Sequence, residues 1–540
     1  MNEPFVQFLW QKYRYFPYER EFAKREVAAI LGQIPGELVD GLSVPQNGLL
    51  TKRYRRFTYF REIVLPSGRK IVPDQALLEA SSRPNGTGRV GKTIRVEIAG
   101  RQSTRYSAHG LHEYRGKFNP QVVRAIGNML ALRKKAWVLD PFCGSGTTLL
   151  ESAHVGWNAV GTDLNPLAVM ISNAKLRAIH APPVELSGTA HRLFYTLRRS
   201  VRHLSYNKPW SEMEMRLFAG VGWEDSLPNF HYLTEWFPRP VLAQATVILG
   251  EIGRIASSDM VPVFRVILSD LLRDVSLQEP EDLRIRRRKN PAPNYPLIPT
   301  FMSSLEAKIG SITRAINVLG KVDGFQEAHV ADNRVPFDWM NKSARLSRIG
   351  GFDAVITSPP YATALPYIDT QRLSLCLLGL ISSNKVMETE RSMTGTREIN
   401  ERRRTELEES LRNSRAGNLP EKAVTLCKRM LELTALPGNG FRRRNMPALA
   451  YGYFSDMARA FENIHAVVRP GGVFALVVGR NRTVLGGEEV LIDTPIMLAD
   501  IAGANGWRMR KVIELDAYKR FDIHRRNSIN TECLILLERA

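Results

Sequence analysis

The stretch WVLDPFCGSGTTLLE, residues 137–151, changes character twice within a few positions. A short apolar run gives way to a glycine turn, and from Thr147 the segment TLLESAHV has helical character. Strand, tight turn and helix in that order open a βαβ unit, with glycines where the backbone turns sharply and approaches a ligand. Further apolar runs lie along the chain: NAVGTDL (158–164), HVADN (329–333), FDAVITS (352–358) and VFALVVG (473–479). Runs of that length, bounded by polar or glycine positions, read as parallel strands buried on both faces. PLAVMISNAKLRA (166–178) and YFSDMARAFENIHAVV (453–468) supply helices between them, and WRMRKVIEL (507–515) and TECLILLE (531–538) supply two last strands. The alternation predicts an α/β fold with a doubly wound, mostly parallel, seven-stranded sheet.

The chain of 540 residues is too long for one ordinary core. Residues 1–95 form a candidate N-terminal module: EREFAKREVAAIL (19–31) has helical spacing, and KRYRRFTYFREIVLPSGRKIV (52–72) reads as two strands around Pro66-Ser67-Gly68. A helix plus a basic hairpin fits a winged DNA-reading element and a packing accessory equally. SSRPNGTG (81–88) is linker-like. Residues 105–180 and 326–540 carry the sheet. Residues 181–325 and 380–447 are too long for ordinary connections, so they read as inserted subdomains, the first a candidate for target recognition and the second a basic insert.

Lys and Arg number 75 against 54 Asp and Glu, a net charge of +21 that favours a polyanionic partner. Both inserts carry arginine clusters: RIRRRK (284–289), ERRR (401–404) and FRRR (441–444). Cys143, Cys376, Cys427 and Cys533 are dispersed, with no CxxC or Cys/His grouping, which indicates neither a disulfide framework nor a zinc site and suits a reducing cytoplasm. The N-terminus has charges and aromatics where a signal peptide needs an apolar centre, and no long apolar run indicates a membrane role.

The glycine turn lacks the third glycine of a dinucleotide site, and no GK[ST] follows to hold phosphates. About 20 residues on, Asp163 ends the next strand, where a carboxylate accepts both hydroxyls of an adenosine ribose. An adenosine ligand without phosphates fits, and S-adenosylmethionine is the obvious candidate. A second stretch, TSPPYATALPYID (357–369), directly follows FDAVI. Proline removes a donor but leaves its carbonyl free, so this strand end is a stiff array of acceptors.

These motifs together resemble the DNA amino-methyltransferases, specifically those that modify cytosine N4. DPFCGSGTT is similar to the cofactor loop of that family, TSPPY to its catalytic motif, and HGLHEYRGKFNPQVVRAI (109–126) to the segment over the methionine end of the cofactor. The resemblance implies a Rossmann-like class I methyltransferase core, S-adenosylmethionine as methyl donor without a metal, DNA as partner and a possible companion restriction endonuclease. It assigns Asp140, Phe142, Gly144, Gly146 and Thr147 to the cofactor loop, Asp163 to the ribose, and Lys117, Phe118 and Pro120 to the methionine end. Asp332 is assigned to the adenine amino group, although a strand-end capping carboxylate explains it as well. The motif order departs from the named classes of the family, so target recognition must come from the inserts, the N-terminal module or a partner chain.

The same resemblance gives Ser358, Pro359, Pro360 and Tyr361 the chemistry. An exocyclic amine is a poor nucleophile because its lone pair is delocalised into the ring. The Ser358 hydroxyl oxygen and the Pro359 carbonyl, aimed at its N–H bonds, draw the nitrogen toward tetrahedral geometry, and Tyr361 stacks on a flipped base. Asp or Asn is more usual than serine in the adenine-N6 enzymes and in RNA guanine-N2 enzymes. Serine therefore favours cytosine N4 over those alternatives and over an inactive DNA-binding subunit.

Overall fold

The computed structural model describes residues 4–46, 51–83, 89–90, 93–94, 100, 102–202, 210–279, 286–289, 295–362, 366–413, 419–516 and 531–540. Parts of three stretches singled out above, namely 84–88 of the linker-like segment, 284–285 and 363–365, lie outside the described residues. Seven strands form the central sheet: β1 (Trp137–Asp140), β2 (Asn158–Asp163), β3 (Gln326–Val330), β4 (Phe352–Thr357), β5 (Val468–Gly479), β6 (Trp507–Asp516) and β7 (Thr531–Arg539). Their spatial order is β3-β2-β1-β4-β5-β7-β6. The first five are mutually parallel, and β7 runs antiparallel to both β5 and β6. This is the doubly wound, mostly parallel sheet that the alternation predicts. The third strand is displaced from HVADN: it spans Gln326–Val330, and Ala331, Asp332 and Asn333 form the loop beyond it. Asp332 ends the strand there by accepting from the Arg334 amide at 2.9 Å.

Successive strand residues point to opposite faces, and each face has its own core. Val138, Ala159, Ile356 and Val477 pack on one side, Leu139, Val160, Val355 and Leu476 on the other. On the first side lie α1 (Pro17–Leu31), α2 (Pro120–Met129), α3 (Thr147–Val155), α4 (Pro166–His180), α5 (Val261–Val275) and α6 (Leu297–Leu319). The second side is covered by α7 (Glu401–Arg412), α8 (Glu421–Ala435), α9 (Met446–Val467) and α10 (Thr494–Ala504). Residues 181–325 are thus mainly helical where described, and their apolar residues join the same core as the sheet. Among the described residues no helix is long and apolar enough to cross a membrane.

The N-terminal residues are more than a helix and a hairpin. Gly36–Leu38, Gly41–Pro45, Phe5–Trp10, Phe60–Val64 and Lys70–Ile71 form a five-stranded antiparallel sheet in that spatial order. The hairpin around Pro66 exists, but its first strand starts at Phe60, because Thr51–Tyr54 is a helical turn. Phe8 meets Phe57 and Phe60 in edge-to-face and tilted contacts with centroids 5.2 Å apart. The module is tied to α2 through buried Glu26, which accepts from Asn128 at 2.8 Å.

Behind the glycine turn, Glu151 of α3 gathers four donors. Tyr106 (2.8 Å), His109 (2.8 Å) and His154 (2.9 Å) reach one carboxylate oxygen, and Arg124 (2.8 Å) reaches the other. His109, Glu151 and His154 are close enough to hold a metal ion. The charge of Arg124 is already in place, however, and both histidines are turned to donate. Despite the opposing effect of burial, Arg124 and the two histidines hold the Glu151 carboxyl well below the usual carboxylate range. Arg124→Met leaves that buried charge without its cation and is expected to cost about 3–5 kcal/mol of stability in a denaturant titration.

Candidate active site

The carboxyl ends of β1, β2, β3 and β4 surround a cavity of about 510 Å³, within the range usual for small-molecule sites. It lies where the strand order reverses between β1 and β4, the place where open α/β sheets leave a crevice. Phe142 and Gly144 enter the wall from the turn after β1, Asp163 from the end of β2, and Asp332 with Asn333 from the loop after β3. Ser358, Pro359, Pro360 and Tyr361 follow β4, and Lys117 and Phe118 come from the segment before α2. Residues far apart in sequence are thereby brought to one space.

Four of the predicted site residues are near this wall without forming it. Asp140 is buried under the turn, accepting from the Phe142 amide at 3.2 Å and from the Thr357 hydroxyl at 2.6 Å. Gly146 starts α3 with φ +75, and a Cβ there would stand 2.1 Å from the Ser172 hydroxyl, so this glycine serves helix packing. Thr147 is the buried first residue of α3. Pro120 is the first residue of α2, capped by the Asn119 side chain, which accepts from Gln121 at 2.9 Å.

Asp163 holds its turn from outside. One carboxylate oxygen accepts the Gly144 amide at 3.0 Å and the other the Asn165 amide at 2.8 Å. Gly144 itself has φ +48, and a Cβ would meet Tyr114 at 3.3 Å. Burial pushes the Asp163 carboxyl up to about 6, and the Asp140 carboxyl likewise. Burial pushes the Lys117 ammonium down to about 7 while it donates to the Thr104 carbonyl at 2.9 Å. Asp332 is paired with Arg334 at 2.7 Å, and Arg334 with Asp456 of α9 at 3.0 Å.

At the other end, the Tyr361 hydroxyl donates to Glu532 of β7 at 2.7 Å, which fixes the ring. The second insert locks the loop: Glu390 accepts the amides of Ile368 (2.7 Å) and Asp369 (3.0 Å), and Gly395 approaches so closely that a Cβ would be 2.9 Å from the Tyr361 carbonyl. Tyr367 lines the cavity, while Asp369 and Arg372 pair with each other.

A family model described as DNA methylase matches residues 98–174. The chain is 28% identical over 294 residues to the type II methyltransferase M.MvaI of Kocuria varians, a match covering 52% of this chain and 59% of that one. It is 23% identical over 432 residues to M.BsoBI of Geobacillus stearothermophilus, covering 76% and 81%. Both the family match and these relatives support a relationship to the DNA amino-methyltransferase family. The match to M.MvaI spans less than two thirds of that relative's length. TrmN from Thermus thermophilus aligns at 10% identity over 99% of this chain and 100% of that one, with a TM-score of 0.32, a likeness too loose to carry weight.

Several residues of this wall stand outside the predicted set. Phe16 and Tyr18 reach it from the N-terminal module, stacked on each other at 5.6 Å. Glu19 fixes their turn by accepting the Phe16 amide at 2.8 Å. Glu532, Tyr114 and Asn333 also line it. Asn333 closes the quoted stretch HVADN and Tyr114 lies within the quoted segment 109–126, whereas nothing local marks Glu532 or the aromatic pair as site residues. Thr357→Val removes the hydroxyl that joins the two loops through buried Asp140. It is expected to lower stability by about 1–3 kcal/mol in chemical denaturation, since an acceptor loses its donor in the interior.

Proposed function

We propose that this chain transfers a methyl group from S-adenosylmethionine to the exocyclic N4 amine of a cytosine swung out of duplex DNA. The observation that carries this reading is the shared cavity: the Gly144 turn with Asp163 and the Ser358–Tyr361 loop face the same space. Phosphate-free adenosine fits this wall, because the end of β2 offers a carboxylate to accept from ribose hydroxyls and the glycine turn itself carries no lysine for a phosphate. Asp163 has further lone pairs for the ribose hydroxyls, Phe142 and Asp332 flank the adenine, and Lys117 and Phe118 cover the methionine end. When bound, the cofactor supplies a methyl on a sulfonium primed for displacement.

The residues of the chain do the rest by placement. Ser358 and the Pro359 carbonyl accept hydrogen bonds from the two amine N–H groups, the product keeps one of those hydrogens and the other leaves as a proton, and the prolines keep that loop from satisfying itself. Tyr361, held by Glu532, offers a face for the extruded base. Orientation of the nitrogen in line with the methyl supplies much of the remaining acceleration. Serine at 358 supports cytosine N4 over adenine N6. Type II methyltransferase relatives support a cytoplasmic modification system with a companion restriction endonuclease.

Ser358→Ala is expected to lower turnover about 10²–10³-fold with cofactor affinity nearly unchanged, as for loss of one preorganised hydrogen-bonding group. Tritiated methyl transfer and calorimetry measure the two. Mass analysis of nucleosides from the DNA of an expressing host is expected to show N4-methylcytosine; N6-methyladenine instead overturns the choice of base.

The Asp163 carboxyl, raised to about 6 by burial, must be ionised to accept both ribose hydroxyls well. Cofactor affinity is therefore expected to fall as pH drops below about 6, approaching tenfold per unit, and to level off above it. Asp163→Asn should bind weakly and lose that dependence in calorimetry across pH 5–8.

A further inference from the structure

Of the three arginine clusters in this basic chain, the described residues show one paired with acids and another whose Arg287 and Arg288 are engaged by backbone carbonyls and a ring. On α7, Arg402 and Arg403 pair with Glu406, and Arg404 with Glu401 and Glu408. Arg287 lies over the Trp236 ring at 5.3 Å and donates to the Glu235 carbonyl at 2.9 Å. Arg288 donates to the carbonyls of Gln278 at 2.7 Å and Asp274 at 2.6 Å. Arg442, Arg443 and Arg444 are different. All three are exposed on the helical turn Phe441–Arg444, and none has a carboxylate partner among the described residues. Phe441 stands beside them, 65% exposed. The shallow groove next to Arg444 also holds Arg404, Arg412 and Lys428 against Glu408 and Glu432, so the local balance stays positive.

The topology sets where this cluster stands. α9 leads directly into β5, which is parallel to β4. A helix preceding a parallel strand begins at the carboxyl end of the sheet, the end that carries Ser358 and the cavity. Asp456 of α9 marks the level of the cavity wall, because its partner Arg334 is also bound to Asp332. The start of α9 is ten residues earlier, about 15 Å further along the axis at the rise of an α-helix. Three free cations and an apolar ring therefore project beyond the cavity on the side from which a macromolecular substrate must approach.

We propose that Arg442, Arg443 and Arg444 bind the phosphate backbone of the DNA that flanks the target base. The inference rests on the reading of DNA as substrate given above. Contacts of this kind give affinity and orientation without reading sequence, and each phosphate neutralised adds about one to the salt dependence of binding.

The test is the affinity of the full chain for a fluorescent DNA duplex, measured by anisotropy over about 50–200 mM salt. The variant R442A/R443A/R444A is expected to bind more weakly, with a slope of log K against log salt shallower by about 2–3. Its cofactor affinity and melting temperature should match the wild type, and R402A/R403A should keep the wild-type slope. An unchanged slope in the triple variant overturns the proposal. Wild-type chain that binds duplex but transfers no methyl group overturns the functional reading alone, leaving the slopes to decide the arginines; wild-type chain that binds no duplex overturns both.

Discussion

The hydrogen bond from Thr357 to Asp140 joins the two halves of the site. It spans β1 and β4, the neighbouring strands between which the order of the sheet reverses. Each strand ends in a loop that cannot hold its shape alone: a glycine turn with positive φ on one side, a double proline without donors on the other. Asp140 accepts from both, and burial raises its carboxyl to about 6 even so. The cost of that buried group is offset by fixing the distance between the place that suits adenosine and the place that suits an amine.

What the sequence makes legible is what is local. A strand followed by a glycine turn, a carboxylate at the end of the next strand, and Ser-Pro-Pro-Tyr after a third are each encoded within a few residues, and each lies where its strand puts it. The exceptions within those motifs are instructive. Gly146 and Thr147 sit in the same turn as Gly144 but serve α3 and its packing on Ser172, because a turn has an inner and an outer side that spacing does not distinguish. HVADN misplaces the third strand by three residues because the edge strand β3 has only one neighbour, β2, to enforce its alternation.

Charge counts mislead for a related reason. ERRR at 401–404 looks as cationic as FRRR at 441–444, yet it opens a full helix in which Glu406 and Glu408 return to the same face three or four residues later. Residues 441–444 form only one turn and are followed by the apolar start of α9, so no acid comes round to meet them. Helical periodicity, applied downstream of each cluster, separates a solvated face from a free one.

The parts no motif announces are the long-range ones, and they converge on the same loops. His112 meets Ser269 of the first insert at 3.0 Å and the Glu113 amide donates to Asp270 at 2.6 Å, while Lys308 donates to the Leu111 carbonyl at 2.9 Å. The segment carrying Lys117 and Phe118 is thus held by helices more than a hundred residues downstream. On the opposite side Glu390 and Gly395 clamp the loop after Tyr361, and from the N-terminal module Phe16 and Tyr18 complete the wall. The acceptor pair proposed at Ser358 and Pro359 grips an exocyclic amine, and the serine favours cytosine N4; excluding the larger purine ring is a separate, steric choice. On the proposed reading that choice falls to the size and shape of the space between Tyr361 and the surrounding wall, which three separately encoded segments set together. Discrimination by such a wall depends on its rigidity, and the hydrogen bonds of Glu19, Glu390 and Glu532 are what hold it in place.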